Sequence, residues 1–207
     1  MNVIQGGFEA MQKPEHVLDI FLQPGELYFG DRDIRIRTVL GSCVSLTFWH
    51  PSLLVGGMCH YMLPSRSHEK RAASELKLDG RYADEALELL NKEIKATGVP
   101  SREFIVKVFG GGNMFPDRSN PVSHVGLKNV EVARKLVTQH GYNCVAEHMG
   151  GDGHRNIIFE VWSGHVWVKH ATLARQDIPG QKNTNTLQQR NDNQSPQDRR
   201  MQCAAFA

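Results

Sequence analysis

Cysteine is scarce and scattered in this chain. Cys43, Cys59, Cys144 and Cys203 are the full set, and no two of them form a CxxC pair. That density excludes a small secreted scaffold stapled by disulfides. Long apolar runs are missing as well: no stretch approaches the roughly 18 residues that cross a bilayer. The opening segment MNVIQGGFEAMQKPEH has neither the basic start nor the apolar run of a signal peptide. The expectation is therefore a reducing cytoplasm and no direct membrane insertion. A surplus of one charge is also absent, with a formal net charge of only +2 over 207 residues. Lys182, Arg190, Arg199 and Arg200 against Asp192 and Asp198 account for that surplus, so residues 1–179 are neutral. A neutral body argues against a nucleic-acid partner.

What is present suffices for one core: 40% of the residues are apolar and 22% charged. From Gly180 the chain reads QKNTNTLQQRNDNQSPQDRRMQCAAFA, almost without large apolar side chains, and such a segment cannot recover its ordering entropy by burial. The expected organisation is a flexible segment 1–16, one domain over 17–179 and a disordered polar tail over 180–207.

Within that domain the hydrophobic period alternates between two and about three and a half. Ile34, Ile36 and Thr38-Val39-Leu40 predict a strand that runs into Gly41-Ser42, and Val44 to Trp49 predict a second. After the turn signal His50-Pro51-Ser52, Leu53 to Leu63 predict a third, bent or bulged at Gly56-Gly57. The segment GRYADEALELLNKEIKATG places Tyr82, Ala83, Ala86, Leu87, Leu90 and Ile94 on one side of a helix that stops at Gly98. A buried strand follows over Phe104 to Phe109, then the loop GGGNMFPDRSNP. A second helix over Ser123 to His140 buries Val130, Ala133, Leu136 and Val137. Asn143 to Met149, Asn156 to Trp162 and His165 to His170 complete the strands, the last two joined by a Ser163-Gly164 turn. A two-residue loop cannot make a parallel crossover. The fold class is thus α/β, a single-domain layered α/β sandwich around a mixed, substantially antiparallel sheet.

Two segments carry reactive groups at a useful spacing, Leu40-Gly41-Ser42-Cys43-Val44 and Gly56-Gly57-Met58-Cys59-His60. With Pro51-Ser52 as a two-residue hairpin tip, Cys43 falls opposite His60, on the same face and roughly 5 Å away. A one-residue bulge would spoil that register. A thiol beside an imidazole suits nucleophilic acyl transfer, because the thiolate is the attacking form and the imidazole can take its proton. Gly41 and Ser42 allow a sharp approach in which the amides of Ser42 and Cys43 could hold an oxyanion. The alternative stays open on these residues alone: an ordinary turn, a small buried cysteine and a satisfied strand histidine. Cys59 is disfavoured as nucleophile because it neighbours His60 and points to the other face. Cys144 reads as core and Cys203 as incidental exposure in the tail.

His148, Asp152 and His154 tempt a metal reading, but the surrounding Gly150, Gly151 and Gly153 read more naturally as a turn, and the spacing is no specific zinc signature. The glycine loop lacks the Gly-Lys-Ser/Thr ending of a phosphate-binding loop. The outer face of the second helix, with Lys128, Glu131, Arg134 and Lys135, reads as solvated.

The blocks Thr38-Val39-Leu40-Gly41-Ser42-Cys43-Val44, Gly56-Gly57-Met58-Cys59-His60-Tyr61-Met62-Leu63-Pro64 and Phe109-Gly110-Gly111-Gly112-Asn113-Met114-Phe115 resemble the bacterial chemoreceptor glutamine deamidase family, CheD, over most of residues 17–170. The resemblance implies a cytoplasmic enzyme that hydrolyses selected receptor glutamines to glutamates with release of ammonia, and also possible action on glutamate methyl esters. It maps the nucleophile onto Cys43, the general base onto His60 and a supporting threonine onto Thr38. Gly41, Ser42 and Asn113 become oxyanion or cleft support, with Met114 and Phe115 shaping the cleft. It implies no metal and no other cofactor. Its partners would be the cytoplasmic domains of methyl-accepting chemotaxis receptors and, in some members, the chemotaxis phosphatase CheC. The rival readings are another cysteine hydrolase or transferase, and an inactive receptor-binding adaptor.

Overall fold

Residues 34–37 alternate between apolar and polar, and the structure carries the alternation of faces on to Leu40, so that Thr38 is buried and Val39 exposed. The computed structural model describes residues 12–66, 77–114 and 125–172. In chain order its elements are β1 (Leu18–Phe21), β2 (Leu27–Gly30), β3 (Ile34–Leu40), β4 (Val44–His50), β5 (Val55–Cys59), α1 (Ala83–Ala96), β6 (Ile105–Gly110), α2 (Val125–Gln139), β7 (Asn143–Met149), β8 (His154–Glu160) and β9 (His165–Ala171). Two sheets result, one ordered β1-β3-β8-β9 and the other β2-β5-β4-β6-β7. Pairing is antiparallel except for β1 with β3 and β6 with β7.

Three layers follow from which face each strand buries. Val44, Leu46 and Phe48 of β4 point toward the helices and pack with Leu87, Leu90 and Ile94 of α1 and with Ala133 of α2. Ile36 and Leu40 of β3 meet Met58, Phe109 and Phe159 in a second core between the two sheets. The central strand β4 is thus covered on both sides, and its polar Ser45 and Thr47 are buried along with its apolar residues. The layered α/β sandwich with mainly antiparallel sheets is the observed fold, and both helices bury the predicted stripes. Tyr82, at the N-cap of α1 rather than within it, and Leu136 are only partly covered.

Both hairpin tips differ from the two-residue loops read from the sequence. His50 pairs with Val55 and Glu160 with His165, leaving four residues in each loop. In each, the fourth residue donates its amide to the strand-end carbonyl, Leu54 to His50 and Gly164 to Glu160, both at 2.9 Å. That residue sits in the left-handed region, Leu54 at φ 53° and Gly164 at φ 70°. Gly164 meets the demand without cost, whereas Leu54 has a Cβ to accommodate. The second tip also moves β8 back to His154–Glu160 from the Asn156–Trp162 range read from the sequence. Two short strands, β1 and β2, were not anticipated; at four residues each they are too brief for a clear alternation.

Candidate active site

The lengthened first hairpin changes the register of β4 against β5. Thr47 pairs with Met58 and Val44 bridges Tyr61, so Ser45, not Cys43, lies in line with His60. The slip amounts to two positions, and a two-residue slip preserves the face on which every side chain lies. Val44, Cys59 and Tyr61 belong to the helix-side core, while Met58 and Cys43 pack on the core between the sheets. Cys43 and His60 therefore share the inter-sheet side, diagonally rather than directly opposed. Cys59 points away from them, and burial pushes its thiol up to about 11.

The same side of β3 supplies Thr38, buried between Ile36 and Leu40. Its hydroxyl donates to the carbonyl of Leu22 at 2.9 Å and lies 2.8 Å from His60 Nδ1. A hydroxyl has one proton, and the Leu22 carbonyl takes it. The remaining bond must then run from Nδ1–H to the threonine oxygen. That assigns the tautomer from the network: Nε2 is left as the basic nitrogen, and among the described residues this buried atom has no hydrogen-bond partner. Cys43 Sγ is accordingly not bonded to it.

The backbone of His60 is held as firmly as its ring. Its amide donates to Glu26 and its carbonyl accepts from Gly25, at 2.9 and 2.7 Å. Burial lowers the imidazole below its ordinary range, with the Leu22 carbonyl and the Glu26 charge offsetting part of that effect. Burial likewise raises the half-buried Cys43 thiol, opposed in part by its own backbone amide. Both shifts act in the same sense, favouring the neutral thiol and the neutral imidazole.

The loop before Cys43 is tied down through its carbonyls. Gly41 accepts from the amide of Gly112 and Cys43 from that of Gly111, at 2.8 and 2.7 Å. Ser42 accepts from Asn129 Nδ2 at 2.9 Å. The amides of Ser42 and Cys43 donate to no other residue among those described, that of Cys43 facing its own thiol. Asn129 was not singled out in the sequence. Its signal is a polar residue on the buried stripe Gly126, Asn129, Val130, Ala133 and Val137 of α2.

The glycine loop joins the strand ends at this same edge of the sandwich. Met114 packs against Gly41, and the main chain of Asn113 pairs with the turn after β7, donating to Gly151 and accepting from Gly153. Phe115 lies outside the described residues. His148, Asp152 and His154 are not gathered into one cluster. His148 Nδ1 instead accepts from Arg155 Nε at 2.8 Å, and Asp152 offers its carbonyl to His170 Nε2. Among the described residues no group of three or more His, Cys, Asp or Glu side chains could hold a metal ion. Arg155 was also not anticipated: it is 2% exposed, bonds the Gly150 carbonyl as well as His148, and so braces the turn that Asn113 pairs with. No described helix is long and apolar enough to cross a membrane.

Comparison with known proteins adds an independent line. A sequence model of the family described as CheD chemotactic sensory transduction matches residues 62–170. A protein of Pseudomonas syringae pv. tomato, named a probable chemoreceptor glutamine deamidase CheD, is 48% identical over 165 residues, covering 79% of this chain and 95% of its own length. Its namesake in Pseudomonas fluorescens is 45% identical over 176 residues, covering 84% of this chain and 97% of its own. A more distant one in Leptospira interrogans is 38% identical over 163 residues, covering 76% and 95%.

Proposed function

This chain belongs to the CheD family, and from that premise we propose that it is a chemoreceptor glutamine deamidase that works through a Cys43 thioester. The observation that carries the reading is the bond between Thr38 and His60, since it leaves a neutral, unprotonated Nε2 on the side of the sheet that Cys43 shares. His60 Nε2 takes the Cys43 proton as Sγ attacks the side-chain carbonyl carbon of a receptor glutamine. The oxyanion that forms is held by the amides of Ser42 and Cys43. Collapse of the tetrahedral adduct breaks the C–N bond, and His60 returns the proton to departing ammonia. A water that gives its proton to Nε2 then cleaves the thioester, releasing glutamate and restoring the thiol.

Replacing an amide with a carboxylate adds negative charge to a receptor helix, and repulsion between neighbouring carboxylates shifts helix packing. The reading extends to glutamate methyl esters as further substrates and to the phosphatase CheC as a regulatory partner. It sets the catalytic domain at residues 17–179, in the cytoplasm. The test is ammonia release and mass analysis of a purified cytoplasmic receptor fragment. Wild type should convert glutamine to glutamate and Cys43→Ala should give none, its fold intact by circular dichroism. Equal product from both removes the nucleophile assignment, and transfer to an added amine with no glutamate formed replaces the reaction.

A further inference from the structure

The side chain of Asn129 is fully buried and spans two segments that no strand pairing joins at that point. Nδ2 donates to the carbonyl of Ser42 at 2.9 Å and to that of Met62 at 2.8 Å. Two carbonyl acceptors settle which end of the amide faces them, because only the NH2 group can donate to both. Its own main chain is fixed in turn, with Tyr61 Oη donating to the Asn129 carbonyl at 2.8 Å. One residue of α2 thus holds the loop that ends in Cys43 and the segment that follows His60.

The consequence lies in the peptide unit between Ser42 and Cys43. That unit is trans, so its C=O and N–H point in opposite directions. Drawing the Ser42 carbonyl toward α2 turns the Cys43 amide away from the helix, toward the side on which Cys43 packs against the inter-sheet core. That amide donates to no other described group. Among the described residues Asn129 Oδ1 has no hydrogen-bond partner, so the bonds that this side chain makes to them are the two that its NH2 group donates.

We propose that Asn129 is a positioning residue for the deamidation reaction: its side-chain amide aims the Cys43 N–H at the oxyanion and fixes the nucleophile loop relative to the segment that carries His60. The inference rests on the thioester reading above. It separates catalysis from mere thiol reactivity, because alkylation of Cys43 by iodoacetamide forms no oxyanion and needs no aimed amide.

The experiment compares wild type, Asn129→Leu, which removes both donors at similar size, and Asn129→Ser, which retains one. Turnover of a purified cytoplasmic receptor fragment is measured beside the iodoacetamide rate at Cys43 and thermal melting. Expected is a fall in kcat of roughly 10²-fold for Asn129→Leu and a smaller fall for Asn129→Ser, with KM changed less than about threefold. The alkylation rate should stay within about twofold of wild type, as expected when only an oxyanion donor is disturbed. Wild-type kcat in a folded variant overturns the inference. A parallel loss of alkylation and turnover also overturns it, since the loop has then collapsed. If Asn129→Leu does not fold, Asn129→Ser decides alone; failure of both to fold assigns Asn129 to the core and overturns the positioning role. Turnover retained by Cys43→Ala defeats the thioester reading itself, whereas loss in Cys43→Ala with normal kcat in the Asn129 variants defeats only this inference.

Discussion

At the scale of single residues, a proton count decides what His60 can do. Thr38 has one hydroxyl hydrogen, the Leu22 carbonyl consumes it, and the imidazole is left with its proton on Nδ1. Thr38→Val removes the acceptor that holds this tautomer and strips a partner from two buried groups, at a cost of about 1–3 kcal/mol each. Thr38→Val should therefore lower kcat by roughly 10- to 100-fold, beyond what its lower melting temperature explains, while Thr38→Ser stays near wild type. Steady-state kinetics beside thermal melts check this, and an unimpaired valine variant would remove Thr38 from the mechanism. The alternation of side chains along the two strands made the shared face of Cys43 and His60 legible in the sequence. The Leu22 carbonyl was not, because no pattern in residues 17–26 marks a backbone oxygen as an acceptor.

Among the elements, α2 does more than cover the sheet. It approaches the glycine loop so closely that a Cβ at Gly126 would lie 2.8 Å from the carbonyl oxygens of both Gly111 and Gly112. Gly126→Ala poses two opposed effects. Alanine improves helix propensity by about 1 kcal/mol, but the helix must retreat from two backbone oxygens, moving Asn129 one turn further along. Backbone has no rotamer with which to yield, so the steric effect wins. Melting temperature and kcat should both fall, and a stabilised, fully active variant would contradict the close packing of α2. The amphipathic stripe of α2 was readable in its periodicity; the approach of its first turn to the loop was not, since it depends on where β4 and β6 place that loop. The hairpin tips teach a related lesson. The turn signal at Pro51-Ser52 located the reversal of the chain, but its length was set by sheet twist and by Leu54 accepting a left-handed conformation.

For the whole molecule, the histidines that burial keeps neutral link stability to pH. His60 and His148 both have imidazoles lowered from the ordinary value, by desolvation first and, for His148, also by the nearby charges of Arg155 and His170. Between the lowered value and about 6.5 the unfolded chain binds protons that the folded chain refuses. Their contribution is therefore complete above about pH 6.5 and is lost as pH falls through the folded values. Asp19, drawn down by Arg35 and Arg37 against an opposing burial effect, adds a loss in the same direction at still lower pH. The urea midpoint should be steady from about pH 6.5 to 8 and fall below it. A midpoint that rises between pH 7 and 5 would show that the folded protein takes up these protons instead.

The linear chain by itself determined the composition-level exclusions, the helical stripes, the longer strands and the face that Cys43 and His60 share, because a period of two or of 3.6 is a local property of the backbone. Even the misjudged hairpin length preserved that face, since it displaced the pairing by an even number of residues. Only the tertiary structure decided the partners that come from far along the chain: Leu22 for Thr38, and Asn129 for Ser42 and Met62. Those bonds depend on how two sheets and a helix stack in three dimensions, and hydrophobic period specifies which face is buried without specifying which polar group will be waiting there.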